Sequence, residues 1–357
     1  MQRAFYLELA AQSLCMPIGT DLVLHEHADH EAIVNDGQRL GRVLEETAYR
    51  FGTPLALPHM DLGLEKTALL SRTGLAIGDP DRFHFSTRPP AEAIAAVARH
   101  ARGPLPRRLQ AQVDAVGYIA HHTELLPIGM AIGPFSLMTK LVSDPITPIA
   151  LAGLGMAADD DEAIATIEAV LQLGLQVILE SVEAQINAGA RAIFIAEPAA
   201  NRVYLSPHQI EAGSGIFDRF VMAPNRQLRA RLAARDVDLM FHCCGELTDK
   251  MLREFTTLDP ALLSLGSSRV LWDDAAMVPK DIVLYGNLPS KRFYSDSAIT
   301  AEQVAALSDE LVGRMAAAGH PFILGTECDV LSVPGCETTI QHKVAALMRA
   351  EWAAAAG

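Results

Sequence analysis

The stretch Val237-Asp238-Leu239-Met240-Phe241-His242-Cys243-Cys244-Gly245 joins two kinds of sequence. Its first half is short and apolar, as a buried strand would be. Its second half places a histidine and two cysteines where that strand stops. Side chains alternate faces along a strand, so His242 and Cys244 share one face and Cys243 points the other way. A His-x-Cys pair can then offer one nitrogen and one sulfur to a common ion, while Cys243 packs against helices. The competing reading is a polar strand end with a buried thiol, since free cysteine is commonly buried.

Similar apolar segments lie on either side. Upstream they cover residues 16–24, 54–58, 126–132 and 191–195; downstream, 262–266, 282–286 and 321–325. Helical patterns separate them. A short helix covers about 1–15. A second runs from about 30 to 51, with Asp29 as a candidate cap and Gly52 as its stop. Asp159, Asp160 and Asp161 open a long helix to about Ala188, acidic at its start as the helix dipole favours. Further helices are expected over 226–235, 248–256, a short turn near 272–278, 301–318 and about 337–354. Residues 144–158 read as an Asp-Pro and Gly-rich connection.

Eight strands alternating with helices imply parallel strands and crossover helices. The expected fold is α/β, a closed (β/α)8 TIM barrel. A doubly wound sheet is the alternative, but no dinucleotide-type glycine loop follows a strand. No linker divides the chain. One barrel domain is therefore expected over residues 1–357, with the first 15 or so as a helical extension.

The net charge of −14, from 29 basic and 43 acidic residues, argues against binding a nucleic-acid backbone or an anionic membrane. No uninterrupted apolar run of about 18 residues suggests a membrane span. Five cysteines in a long chain without an export pattern fit reduced thiols and a cytoplasmic location better than a disulfide framework.

Barrels of this type carry their chemistry at the C-terminal ends of the strands. There the sequence places His59 and Asp61, then Glu197, then His242 and Cys244, then Asn287. The last strand leads into Gly325-Thr326-Glu327-Cys328-Asp329. Two cysteines on one zinc ion need Cα atoms within roughly 10 Å. The two strands concerned are nearly opposite in an eight-stranded barrel. Cys328 must then ride on a loop that curls over the mouth, which the sequence permits without requiring. Two thiolates and an imidazole suit zinc, and three protein ligands leave a fourth position open. Glu197 is a candidate for that position at rest, with a helix-capping or surface acid as the alternative. Such a site suits holding an external thiol as thiolate, hence alkyl transfer to sulfur.

Other groups carry less. His25, His27 and His30 read as a polar loop rather than a second metal site. His121 and His122 lie on the wrong side of their strand. Cys15 reads as packing, and Cys336 has no assigned role.

These residues resemble the uroporphyrinogen decarboxylase superfamily, and within it the zinc-dependent, cobamide-linked methyltransferases. The landmarks are Gly133-Pro134-Phe135, His242-x-Cys244-Gly245, Gly286-Asn287-Leu288 and Gly325-Thr326-x-Cys328. The resemblance implies a TIM barrel and zinc held by His242, Cys244 and Cys328. It also implies catalytic roles for Asp61 and Asn287, with His59, Gly133, Phe135 and Asn287 toward the substrate. Its activity moves a methyl group between a methylcorrinoid, supplied by a corrinoid-binding partner protein, and a zinc-bound thiol or another small methylated molecule. A non-catalytic corrinoid-handling protein is the alternative. The decarboxylase branch fits less well: its arginine-rich first-strand segment has no counterpart in Met16–Glu26.

Overall fold

The computed structural model describes residues 3–99 and 103–350. Seven strands form one parallel sheet in simple sequential order: β1 (Leu55–Ala56), β2 (Leu126–Ile132), β3 (Ala192–Ala196), β4 (Asp238–Cys243), β5 (Leu262–Leu265), β6 (Val283–Leu288) and β7 (Phe322–Thr326). All six pairings are parallel. Sequential parallel order with helical crossovers is the barrel pattern.

The expected first strand over 16–24 is a correction. There Cys15 and Ile18 form only isolated bridges, to Leu324 within β7 and to Asp329 after it, and Thr20–Leu24 is a helix. Pro17 has no amide hydrogen and so cannot support a full ladder. The segment nevertheless fills the gap between β7 and β1. Met16 N donates to Leu324 O at 2.9 Å, and Thr20 Oγ1 donates to Leu57 O at 2.8 Å. The result is a curled seven-stranded sheet with an irregular eighth staple.

Two cores follow from strand alternation. Facing the barrel axis are Met16, Ile18, Leu57, Met130, Phe194, Met240, Val283, Tyr285 and Ile323. Tyr6, from the helix Arg3–Ala11, joins this inner cluster and is fully buried. Alternate residues such as Ile193, Ile195, Phe241 and Leu263 pack outward against the helices.

Helix boundaries shift where local caps decide them. The expected helix over 30–51 is two, His30–Ile33 and Gly37–Arg50, because Asp36 caps the second by accepting from Arg39 N. The connection expected over 144–158 contains a helix, Ile146–Gly153. The long helix Glu162–Asn187 starts as read, with Asp161 accepting from Ala163 N and Ile164 N. It is long and apolar enough to cross a membrane, but 61% of its most apolar window is buried inside the fold. The last helix is Glu337–Leu347; the expected continuation past residue 350 lies outside the described residues.

Candidate metal centre

β4 delivers its residues in the expected alternation. His242 stands opposite Ser264 in the ladder, and its ring lies 5.4 Å from that of inward-facing Phe194. Cys243 is fully buried outward, its thiol 3.8 Å from Ala200 O. Cys244 sits just past the strand. Gly266 makes this turn possible: a Cβ there would lie 2.5 Å from Cys244 O.

Cys328 crosses the mouth on a braced loop. Glu327 N continues the ladder from β7 by donating to Leu288 O at 2.7 Å. The Glu327 carboxylate reaches beyond β6, accepting from Ser267 N at 3.1 Å and Ser267 Oγ at 2.7 Å. Ser290 Oγ donates to Cys328 O at 3.1 Å. Between them these contacts turn Cys328 toward β4. One ligand atom each from His242, Cys244 and Cys328 then lies within 4.8 Å of the others. The edges of a tetrahedron around zinc are roughly 3.3–3.8 Å by its usual bond lengths, so small side-chain adjustments suffice to close the set.

Electrostatics and hydrogen bonding agree with this geometry. His242 Nδ1 lies 2.8 Å from Ser264 Oγ. With Nδ1–H donating there, Nε2 presents a lone pair, and Nε2 is buried without a hydrogen-bond partner among the described residues. A buried orphan nitrogen calls for an explanation, and a metal is one that the two neighbouring sulfurs share. The Cys244 thiol is held far down, at about 3, first because it accepts a hydrogen bond from Cys328; burial opposes this, and His242 and Lys291 assist it. The same shared proton, together with burial, pushes the Cys328 thiol well up. The pair thus holds a thiolate next to a thiol, ready to lose its proton to a soft cation. The residues present fit zinc.

The other expected site residues fall elsewhere. Glu197 is fully buried and stands outside the cluster. Its carboxylate accepts from Phe135 N at 3.3 Å, Ser136 N at 2.5 Å and Asn225 Nδ2 at 2.9 Å. This places it on the helix side of the sheet, at the start of the helix Pro134–Leu141. Burial raises its pKa and these donors work against the rise. Gly133 serves the same brace, since a Cβ there would lie 2.2 Å from Glu197 Oε2. Phe135 is fully buried in the outer core. Glu197, Gly133 and Phe135 are therefore scaffold behind the site in this structure. Asn287 also braces, its Nδ2 donating to Gly266 O at 2.8 Å and Arg269 O at 2.9 Å.

His59 and Asp61 line a separate cavity of about 410 Å3 with Asp21, His25, His30, Arg108 and Lys140. Asp61 pairs with Arg108 at 2.9 Å. His59 Nε2 lies 3.1 Å from Asp21 Oδ1. Burial alone would lower the His59 pKa, but Asp21 and Asp329 raise it. Asp329 is pushed up to about 7 by burial and by Asp21. The Met60 and Val330 amides lie near it without hydrogen-bond geometry, and neither of its oxygens is paired among the described residues.

Sequence reasoning missed Ser264, Glu327 and Lys291. Ser264 has the inward parity of β5 and was open to the same alternation argument. Lys291 lies on the short turn Ser290–Arg292, and no pattern marked it. Burial works against its charge, but Cys244, Glu327 and Cys328 outweigh burial and hold the ammonium firmly protonated.

Among solved structures, the chain is similar to a methyltransferase from Methanosarcina mazei, with 16% identity, 93% of this chain and 92% of that chain covered, and a TM-score of 0.64. It also matches a B12-independent methionine synthase from Shewanella sp. W3-18-1 at 14% identity, covering 69% and 68% of the two chains, with a TM-score of 0.44. No curated protein matches by sequence. Residues 82–350 match the family described as uroporphyrinogen decarboxylase (URO-D). That span takes in six of the seven strands and all three residues of the metal cluster, and the chain belongs to the uroporphyrinogen decarboxylase family.

Proposed function

We propose that the protein is a zinc-dependent methyltransferase that moves a methyl group between a corrinoid carried by a separate protein and the sulfur of a small thiol. The observation that carries this reading is the His242, Cys244 and Cys328 cluster at the C-terminal mouth, with an unpartnered imidazole nitrogen and two sulfurs within 4.8 Å. The fold shared with the Methanosarcina mazei methyltransferase over nearly the whole chain supports it.

Bound there, zinc supplies Lewis acidity that keeps a substrate sulfur deprotonated near neutral pH. The protein's part is positional. Ser264 holds the His242 ring and its tautomer. Glu327 and Ser290 hold the Cys328 loop across the mouth. A thiol arriving from solvent gives up its proton to water and contributes the electron pair for the new carbon–sulfur bond, while the methyl group's bond to the partner's corrinoid cobalt breaks and leaves its electron pair on that cobalt. The reading takes residues 1–357 as one barrel domain working in the cytoplasm, where its five free cysteines stay reduced.

Decarboxylation of a polycarboxylate is disfavoured by the mouth itself. Asp21, Asp61 and Asp329 gather on the side near β1, and residues 16–26 bring no arginine to meet substrate carboxylates.

Purified protein is expected to hold about one zinc per chain, by elemental analysis, and to methylate 2-mercaptoethanol from methylcobalamin. Cys244→Ala and Cys328→Ala are each expected to lose most of the metal and the activity. Full zinc occupancy in either variant sinks the ligand set. Zinc binding without methyl transfer favours a non-catalytic corrinoid-handling protein.

A further inference from the structure

We infer that Cys244 and Cys328 are a reversible redox switch: a peroxide joins their sulfurs as a disulfide, which removes both thiolates from the site and releases the metal, and a small thiol reopens it. The inference rests on the zinc-ligand set of the reading above and not on methyl transfer.

The fold already brings the pair together. The two sulfurs lie within 4.8 Å of each other. A disulfide is about 2.05 Å long, so they must close by about 2.8 Å at most. One staggered step about the Cα–Cβ bond moves a cysteine sulfur by roughly 3 Å. The braces on the Cys328 loop leave that rotation free. They act on Glu327 N, the Glu327 carboxylate and Cys328 O, and none of them holds the Cys328 sulfur. Both residues are half-buried at the mouth, so a small oxidant can reach them from solvent.

The other three cysteines stand apart. Cys243 is the chain neighbour of Cys244, but it is fully buried on the far side of the sheet, its thiol 3.8 Å from Ala200 O. The Cys15 sulfur lies 3.5 Å from Leu347 O. Cys336 stands at the start of the helix Glu337–Leu347.

One peroxide balances the reaction. A cysteine sulfur attacks a peroxide oxygen, the O–O bond breaks, and the alcohol leaves; that sulfur becomes a sulfenic acid. The second sulfur attacks it, the S–S bond forms, and hydroxide leaves as water. Each sulfur gives up one electron, and the peroxide takes two electrons and two protons. Only His242 then remains of the three ligands, too few to retain zinc. Reversal is thiol–disulfide exchange: two small thiols become their own disulfide and return two thiols to the protein. The class of molecule read above as methyl acceptor is thus also the reductant, so metal occupancy follows the supply of reduced acceptor. Transient disulfides of this kind are the ones a reducing compartment tolerates.

The test treats zinc-loaded full-length protein, freed of small thiols, with a slight excess of tert-butyl hydroperoxide. Zinc is followed with a chromogenic chelator, and thiols are titrated after denaturation. Free thiols are expected to fall by two from five, the zinc to be released, and mass spectrometry to find a Cys244–Cys328 cross-linked peptide. Adding 2-mercaptoethanol and zinc is expected to restore at least about nine-tenths of both. Cys336→Ala is expected to lose two thiols and its zinc as wild type does, whereas Cys328→Ser gives no such cross-link. Retention of zinc and all five thiols overturns the inference. So does a cross-link between any other pair, or zinc loss with sulfinic acid in place of a cross-link. A Cys244–Cys328 bond that resists 2-mercaptoethanol also overturns it, as damage rather than a switch. Protein that passes this test but transfers no methyl group overturns the methyltransferase reading and leaves the switch standing. Protein that binds no zinc before treatment overturns both.

Discussion

Glu197 and Cys243 occupy comparable places, each one residue from an inward-facing neighbour at a strand end, and both face the helices. Alternation decides the side of Cys243 because its neighbours His242 and Cys244 fix the phase within one strand. The same rule excludes Glu197 once Phe194 and Ala196 are known to face the axis, but the phase of β3 relative to β4 is set by sheet register, which sequence does not print. The consequence is testable. Glu197→Gln turns one acceptor toward the Phe135 and Ser136 amides into a donor, at a cost of about 1–3 kcal/mol in urea unfolding. Zinc content is expected to stay near one per chain. A variant of unchanged stability that loses zinc would make Glu197 a ligand after all.

At the scale of elements, the helix Leu64–Arg72 meets the long helix Glu162–Asn187 through a buried polar contact. Ser181 Oγ donates to Glu65 Oε1 at 3.0 Å, and Gln185 continues the network to Met130 O and N. Burial pushes the Glu65 carboxyl up from 4.5 to about 7, with hydrogen bonds opposing. The folded chain thus keeps a proton that the unfolded chain loses. Stability from this group falls as pH rises from about 4.5 to about 7 and is level above that. The loss is on the order of 3 kcal/mol. Glu65→Gln removes the titration, so its stability relative to wild type is expected to increase between pH 5 and pH 8. Parallel urea curves for the two proteins at both pH values would contradict this. Nothing in the helix sequence pattern marked Glu65, since an acid in a first turn ordinarily reads as a dipole partner.

Over the whole molecule, the N-terminal helix closes the end of the barrel opposite the metal. Arg3 reaches Asp259 and Asp281, the latter at 2.9 Å, just before β5 and β6, and Tyr6 plugs the inner core. Tyr6→Ala is expected to destabilise the fold by about 3–5 kcal/mol in chemical denaturation while zinc content holds, because the plug and the mouth are at opposite ends of the strands. Loss of zinc from a still-folded variant would show that the two ends are coupled.

Local chemistry was enough to read seven of the strands, the long helix with its Asp161 cap, and the pairing of His242 with Cys244. Each depends on periods and caps that neighbouring residues enforce. Residues 16–24 misled because their apolar composition suits a strand, while Pro17 and the missing second ladder partner turn them into a staple and a short helix. The closing of the metal cluster is a tertiary result. Cys328 lies far along the chain from Cys244, and only the Glu327 and Ser290 contacts across β5, β6 and β7 bring its sulfur over the mouth. Lys291 arrives by the same route. Chemistry drawn from one strand could be read from its residues, and chemistry assembled from several waited on their register.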